Sequence, residues 1–223
     1  MKKTIFAINN SMITTENITV ERSLLYSLRV AAEKTEILVY VLHGYGQLSR
    51  YFLRKIETVL PGTVTFVAPE GMHRFYLQGN SGRVGASWMT KEARETDIIE
   101  NTAALDRLHR KLMAEFQPEK VLVIGFSQGG ATATRWVANG AVQPDGFVSW
   151  ASVFPPDISS IADEKMDASM KKWFVLGTED PYFDVNSAEA ACNEYRAKQF
   201  EVIRFDGQHD LNETLVEQLI LHV

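Results

Sequence analysis

Residues 121–134 read Val-Leu-Val-Ile-Gly-Phe-Ser-Gln-Gly-Gly-Ala-Thr-Ala-Thr, and this stretch decides the fold. The apolar run from Val121 to Ile124 predicts a buried strand that leads directly into Gly125, and the residues from Gly129 onward can begin a helix. A strand, a tight turn and a helix with a serine at the turn are typical of a nucleophile elbow. Glycines two residues before and after Ser127 let the strand and the helix approach closely. The alternative is an ordinary glycine turn that carries a surface serine.

Short β-rich runs alternate with helical patterns from about residue 36 onward. We predict strands at residues 37–42, 64–68, 121–124, 146–151, 173–176 and 200–205. We predict helices at about residues 49–59, 92–116, 128–139, 185–198 and 211–222. Upstream, Ile18–Val20 and Leu24–Val30 are predicted to be two short strands, which could form a hairpin. This alternation predicts an α/β fold with a mostly parallel central sheet and helices on both faces. No repeat or linker divides the chain, so we expect a single domain over residues 1–223.

The composition is that of an ordinary globular protein, and it disfavours some classes of function. The chain has 223 residues, of which 45% are hydrophobic, and a formal net charge of −5. This acidic balance argues against general nucleic-acid binding, which needs a basic face for phosphates. Cys192 is the only cysteine, so no internal disulfide is expected. No apolar run has the length of a membrane helix or of a signal-peptide core, so we expect no stable membrane insertion and a cytoplasmic location. The oligomeric state stays open, a homodimer included.

The predicted base is a histidine near the end of the chain. A serine hydroxyl is a weak nucleophile until a base removes its proton, so Ser127 needs a histidine and an acid that orients it. In a site built on a nucleophile elbow the chain order is serine, then acid, then histidine. Only His209 and His222 follow Ser127. His209 comes just after the last predicted strand, whereas His222 is the penultimate residue and is expected to be solvated, so we predict that His209 is the base.

The predicted acid is Asp180. It lies in Gly177–Pro181, a short loop beyond the predicted strand at residues 173–176, where its carboxylate could meet His209. Aspartate before proline is also a common turn former, so the same residue could serve the turn alone. The alternatives left open are Glu179, Asp184, Asp157 and Asp163.

The tetrahedral intermediate of acyl transfer needs amide donors for its negatively charged oxygen. The backbone N–H of Gln128, the residue after the nucleophile, is one predicted donor. The second is expected in the loop after the strand at residues 37–42, and Tyr45 N–H is the predicted donor because glycines flank it. His43 precedes the nucleophile, and we expect it to anchor this loop by hydrogen bonds rather than to take part in catalysis.

Together these residues resemble the phospholipase/carboxylesterase family, which includes the acyl-protein thioesterases. The matching stretches are Leu42–Gly46, Gly125–Gly130 and Asp180–Pro181, whereas Ser87–Trp88 is a looser match and Gly207–His209 is one residue shorter than the family's Gly-x-x-His. The likeness covers residues 37–222, and its most specific part is the Gly-Phe-Ser-Gln-Gly-Gly of the elbow. The resemblance implies an α/β-hydrolase fold and hydrolysis of carboxylic esters or thioesters without a cofactor. Gln47 departs from the pattern, because members of the family often carry an aspartate there.

The segment from Gly71 to Lys91 contains no Asp or Glu, although the whole chain is acidic. It combines basic and apolar side chains with several glycines, which predicts a flexible loop. The simpler interpretation is a surface loop with solvated arginines and no role in substrate binding. The sharper hypothesis is a cap over Ser127 that offers apolar contacts and positive charge to an anionic substrate. The substrate-binding residues predicted on this hypothesis are Arg74, Phe75, Tyr76, Arg83 and Trp88.

The predicted function is hydrolysis of esters or thioesters of small or single-chain acyl groups through a Ser127–Asp180–His209 triad and an acyl-enzyme intermediate. The same triad would serve an acyltransferase, a perhydrolase or a peptidase. A catalytically silent binding protein of the same fold is the alternative from another class. The histidines show no spacing typical of metal ligands, so we expect neither a metal site nor a cofactor. The expected partner is a small-molecule ester or thioester, and no nucleic acid.

Overall fold

The computed structural model describes residues 4–8, 11–56, 62–158, 166 and 169–223. In chain order the strands are β1 (Thr4–Ile8), β2 (Ser11–Thr15), β3 (Tyr26–Arg29), β4 (Ile37–Leu42), β5 (Val64–Pro69), β6 (His73–Tyr76), β7 (Val84–Ser87), β8 (Lys120–Phe126), β9 (Gly146–Trp150), β10 (Lys171–Gly177) and β11 (Glu201–Phe205). The helices are α1 (Ser49–Leu53), α2 (Arg94–Phe116), α3 (Gln128–Asn139), α4 (Val185–Ala197) and α5 (Glu213–Leu221). Short 3-10 turns cover Arg54–Ile56 and Pro156–Ile158.

A central sheet carries the fold. Within the described residues it has seven strands in the order β11-β10-β9-β8-β4-β5-β3, and only β3 runs antiparallel to its neighbour. The central strands are continuous apolar runs, which suits strands that are covered on both faces. Helix α3 packs against β8, β9 and β4, and α4 packs against β10 and β11. The predicted α/β-hydrolase type of sheet, mostly parallel and packed with helices, is confirmed.

The parallel register brings the carboxyl ends of β4, β8, β9, β10 and β11 to one edge. Leu42 at the end of β4 pairs with Gly125, and Phe126 at the end of β8 pairs with Trp150. On the other side of β9, Gly177 at the end of β10 pairs with Phe205 of β11. Loops that follow these strands therefore meet at one edge, which is where open parallel sheets bind their ligands.

The predicted strands and helices of the sheet region agree with the structure to within a few residues, whereas the amino-terminal prediction is partly wrong. Leu24–Val30 does contain β3, but Ile18–Val20 forms no strand, and the hairpin lies upstream of it, between β1 and β2. Ile18 and Val20 are 86% and 74% exposed, so no burial favours an extended pairing there. The predicted helix at 49–59 ends as α1 at Leu53 and continues as a 3-10 turn, and residues 57–59 lie outside the described part.

The segment predicted as a flexible loop is in part a hairpin. Strands β6 and β7 pair in antiparallel register, with Phe75 opposite Gly85. The hairpin lies tightly against the loop after β4, because a Cβ on Gly85 would be 2.5 Å from the carbonyl oxygen of Gly46. No helix in the described part of the chain is both long and apolar enough to span a membrane.

Candidate active site

Ser127 lies at the turn between β8 and α3, in a backbone conformation that residues other than glycine rarely adopt. Its φ is 54° and its ψ is −121°. Such a residue costs free energy and persists only where its surroundings hold it in place. The Ser127 N–H donates to the carbonyl of Trp150, 2.8 Å away, and its own carbonyl accepts from Gly130 N–H at 2.9 Å. The strand on one side and the helix on the other therefore fix the strained turn.

The glycines around Ser127 are required by close packing. A Cβ on Gly125 would lie 2.6 Å from the carbonyl oxygen of Gly129, and one on Gly129 would lie 2.3 Å from that of Leu42. Both separations are shorter than real Cβ contacts, so any side chain would push α3 away from β8 or β4. The start of α3 thus packs against the ends of two strands, with the amides of its first two residues, Gln128 and Gly129, at the carboxyl edge of the sheet.

The structure brings Asp180 and His209 together, each on the loop that follows its strand. His209 Nδ1 lies 2.6 Å from Asp180 Oδ2, and the side chains are 17% and 1% exposed. The other carboxylate oxygen accepts from Tyr182 N–H at 2.9 Å, so both oxygens are engaged. A proton on Nδ1 donates to Asp180 and leaves Nε2 as the nitrogen that can accept another proton.

Two further contacts fix this histidine. The ring of Phe126 lies 4.8 Å from the His209 ring and that of Tyr182 lies 4.5 Å from it, measured between centroids. The loops that follow β10 and β11 also contact each other, because Glu179 N–H donates to Gly207 O at 3.0 Å. Phe126 directly precedes Ser127, so the same strand end carries the serine and one wall of the imidazole.

Most of the residues considered as alternatives to Asp180 and His209 have other bonding partners or are exposed. Asp184 caps α4, accepting from Ser187 N–H at 2.7 Å. Asp157 binds Arg135 through both carboxylate oxygens, at 2.9 and 2.6 Å. The exposed His222 bonds the carbonyl of Gln218 at the end of α5. Glu179 is exposed, and Asp163 lies outside the described residues.

Hydrogen bonds fix the loop after β4 and engage the backbone N–H groups of three of its residues. Gly44 N–H donates to the Gln47 side chain at 2.9 Å, Gly46 N–H donates to Ala86 O at 2.8 Å, and Gln47 N–H donates to Gly44 O at 3.3 Å. Within the described part of the chain no acceptor is found for Tyr45 N–H. Gly46 takes the positive φ of 75° that this tight turn needs.

His43 is buried and braces this loop from behind. Its Nδ1 donates to Gly44 O at 2.7 Å, and its Nε2 accepts from Gly71 N–H at 2.9 Å. Burial lowers the pKa of His43 to about 4, although the hydrogen bond to Gly44 and the Glu70 carboxylate act in the opposite direction. The imidazole is therefore neutral near pH 7 and acts as a hydrogen-bonded spacer between two loops.

The side chain of Gln128 forms a clamp that the sequence analysis did not anticipate. Its Oε1 accepts from Trp88 N–H at 3.0 Å, and its Nε2 donates to Met89 O at 2.8 Å. The clamp ties the first residue of α3 to the segment after β7. A glutamine directly after Ser127 carries no sequence signal for this role, because its partners, two backbone groups and the Ser87 hydroxyl, lie about 40 residues away.

The predicted substrate-binding residues occupy different environments. Trp88 is 0% exposed and donates from Nε1 to His43 O at 2.8 Å, so it supports the loop and does not face an open cleft. Arg74 binds Glu70 at 2.7 Å. Half-buried Phe75 packs 5.1 Å from the Tyr45 ring, measured between centroids. Tyr76 and Arg83 are exposed on the hairpin.

Glu70 explains why Arg74 is engaged. Burial alone would raise the pKa of the Glu70 carboxyl, but hydrogen bonds from Arg74 and from the amide and hydroxyl of Ser49 more than offset it, and the pKa is lowered. Glu70 is 6% exposed, so its charge depends on these partners. Arg74 therefore offers less positive charge to a ligand than its sequence context indicated.

A cleft of about 400 Å³ opens beside Gln128. It lies between the segment after β7, the start of α3 and the loop after β9. Its lining residues are Met89, Thr90, Lys91, Arg94, Gln128, Ala131, Arg135, Val153, Phe154, Pro155 and Pro156. No sequence pattern indicates this cleft, because three segments distant in the chain form its walls.

Solved structures of esterases and thioesterases share the fold. Acyl-protein thioesterase 2 from Zea mays has a TM-score of 0.66 at 16% identity, covering 89% of this chain and 96% of that one. A Bacillus cereus carboxylesterase has a TM-score of 0.60 at 15% identity, covering 89% and 92%. Esterase PE8 has a TM-score of 0.58 at 19% identity, covering 90% and 98%.

The family is given by the sequence itself. No curated protein sequence is significantly similar to the chain. The family model described as Serine hydrolase (FSH1) matches residues 32–213, which include the elbow, Asp180 and His209. This confirms the serine hydrolase that the elbow motif indicated, and the chain belongs to the serine hydrolase (FSH1) family.

Proposed function

We propose that this serine hydrolase cleaves carboxylic esters or thioesters, with Ser127 as nucleophile, His209 as base and Asp180 as the acid that orients it. One observation carries the proposal. A serine in a strained turn and a carboxylate–imidazole pair at 2.6 Å lie on loops at the same edge of one parallel sheet. This combination supplies the nucleophile, base and orienting acid that acyl transfer requires.

In this mechanism the Ser127 hydroxyl attacks the carbonyl carbon while its proton passes to Nε2 of His209. Asp180 holds the Nδ1 proton and stabilises the imidazolium that forms. The imidazolium then protonates the leaving alcohol or thiol as its bond to the carbonyl carbon breaks. Water, deprotonated by His209, attacks the acyl-enzyme, and release of the carboxylic acid restores Ser127.

The backbone supports the stabilisation of the oxyanion. Gln128 N–H belongs to the first residue of α3, where helix amides have no intrahelical partner. Tyr45 N–H is the amide in the 44–47 loop for which the described residues offer no acceptor. Both amides belong to segments that are fixed by other bonds, which is the preorganisation that lowers the barrier of such steps.

The ester or thioester class rests on the triad chemistry and on the resemblance of the elbow and the oxyanion loop to esterases and thioesterases. Neither bond needs more from the protein than a nucleophile, a base and two donors. A cleft of about 400 Å³ suits small or single-chain acyl groups.

The test is labelling with a fluorophosphonate probe, followed by kinetics on p-nitrophenyl esters of increasing acyl length and on one thioester. We expect Ser127→Ala to lose labelling and to lower kcat by about a thousandfold or more. Ser23→Ala, an exposed serine far along the chain from the elbow, is the matched control and should behave like the wild type. Retained turnover in pure Ser127→Ala protein would refute the assignment.

A further inference from the structure

We propose that the cleft beside Gln128 binds the acyl part of the substrate and selects acyl groups that carry a second carboxylate. This rests on the proposed function and names its substrate class. The substrates would be monoesters or monothioesters of dicarboxylic acids, with the free carboxylate recognised by Lys91 and Arg94.

The position of the cleft assigns it to the acyl group. Gln128, which lines the cleft, directly follows Ser127 and carries one of the proposed oxyanion donors. The leaving group must lie near His209, because the imidazole protonates it. None of the described side chains that contact His209, namely Phe126, Asp180 and Tyr182, lines the cleft. The cleft therefore begins one residue beyond Ser127, and none of the side chains expected around the leaving group lines it.

The charge of the cleft is opposite to that of the chain. The ionisable side chains that line it are Lys91, Arg94 and Arg135, all of them cations, whereas the whole protein has a net charge of −5. Asp157 binds Arg135 with both oxygens and lies 3.9 Å from Arg94. Three cations thus stand against Asp157 and against Asp97, which accepts from Thr90 N–H at 3.3 Å and pairs with His73, and the remaining positive charge attracts an anion.

Arg135 and the two other cations have different roles. The Arg135 side chain is 2% exposed and is already bound to Asp157, so it forms a fixed wall that joins α3 to the 3-10 turn after β9. Lys91 is exposed, and no ion pair is found for it within the described residues. The Arg94 side chain is half exposed, and its contact to Asp157 is long. Lys91 and Arg94 are therefore the side chains available to a ligand, and a guanidinium pairs well with a carboxylate.

The rest of the lining is apolar and would accommodate the methylene groups between the two carboxyl functions. Its apolar members are Met89, Val153, Phe154, Pro155 and Pro156. Phe154 is buried, whereas Val153 is 59% exposed at the cleft. A lining that combines these apolar side chains with exposed cations matches an acyl chain that is apolar along its length and anionic at its end.

The kinetic experiment compares p-nitrophenyl monoesters of succinate, adipate and suberate with neutral esters of the same chain length. The measured quantity is the ratio of kcat/KM for the acidic ester to that for its neutral partner. We expect the wild type to favour at least one acidic ester and the double variant Lys91→Met/Arg94→Met to lower the ratio by about tenfold, taking about threefold for each partly exposed charge.

Arg107→Met is the matched control. Arg107 is an exposed arginine of α2, thirteen residues beyond Arg94 and so about 20 Å along the helix axis. We expect its ratio to equal that of the wild type. A wild-type ratio at or below one for every chain length would overturn the inference, and so would an equal ratio in the wild type and the double variant.

A binding measurement separates this inference from the proposed function. Titration calorimetry of Ser127→Ala protein with adipate and with hexanoate needs no turnover. We expect adipate to bind more tightly, and this preference to disappear when Lys91→Met and Arg94→Met are added. Absence of turnover on every ester together with intact adipate preference would refute the hydrolase mechanism alone, whereas equal affinity for both acids would refute the acidic subsite alone.

Discussion

The side chain of Gln47 accepts a hydrogen bond from the backbone N–H of Gly44, with 2.9 Å between the two atoms. This bond closes the turn that contains Tyr45, and the neighbouring amide of Gly46 is engaged by Ala86. These two bonds hold the turn in place, so the position of Tyr45 N–H does not depend on a bound substrate. In the proposed mechanism Gln47 would act on the oxyanion through this loop, and we expect it to be a positioning residue.

Gln47→Met has nearly the same length but no acceptor for Gly44 N–H. We expect kcat to fall by about tenfold with little change in KM, because a misaimed oxyanion donor weakens the transition state more than the ground state. Gln47→Glu keeps an acceptor oxygen and should retain more of kcat than Gln47→Met. Steady-state kinetics on one p-nitrophenyl ester measures both, and a change confined to KM would contradict this role.

Asp180→Asn keeps the shape of the carboxylate but removes its charge and replaces one of its two acceptor oxygens with an NH2 donor. We expect kcat to fall by about a thousandfold or more, because the imidazole loses the group that fixes its tautomer and stabilises its positive form. Asp184→Asn is the matched control, since asparagine also caps helices well. A similar loss of kcat in both variants, or a loss in Asp184→Asn alone, would reassign the acid.

The strands and the elbow could be predicted from the sequence because their signals are local. A strand, a turn and a helix are predicted within a few residues by the apolar run from Val121 to Ile124 and by the glycines around Ser127. The chain order of acid and base then indicated Asp180 and His209, which the parallel sheet brings within 2.6 Å.

The rest depends on contacts between distant segments, which periodicity does not reveal. The sequence predicts Trp88 as a substrate-binding residue in a flexible, glycine-containing loop, yet its indole N–H is buried against the carbonyl of His43. Arg74 reads as a free cation because its own segment has no acid. Its partner Glu70 lies one residue before that segment and is held by Ser49 across the fold.

Arg74→Met tests whether this arginine serves stability or substrate charge. We expect the free energy of unfolding to fall by about 1–3 kcal/mol, because the buried Glu70 carboxylate loses a hydrogen-bonded cation. The ratio of kcat/KM for acidic and neutral esters should stay at the wild-type value. Urea unfolding and the paired esters measure the two effects, and a lower ratio with unchanged stability would return Arg74 to the substrate site.

Because burial lowers the pKa of His43, this residue makes the free energy of unfolding decrease as the pH falls. Its pKa is about 4 in the folded protein and has the ordinary value of 6.5 when the chain unfolds. Between these values the unfolded chain binds more protons than the folded one, so stability falls as the pH falls. The contribution is fully present above about pH 6.5, and it is lost progressively as the pH drops toward about 4.

The two pKa values predict a loss of about 2 kcal/mol in the free energy of unfolding between about pH 7.5 and about pH 5 from this residue alone. His43→Gln has no group that titrates in this range and should show a shallower pH dependence by that amount. Urea unfolding of both proteins at the two pH values measures the difference, in which the contributions of all other groups cancel. Equal slopes in the two proteins would mean that His43 is protonated as easily in the folded loop as in the unfolded chain.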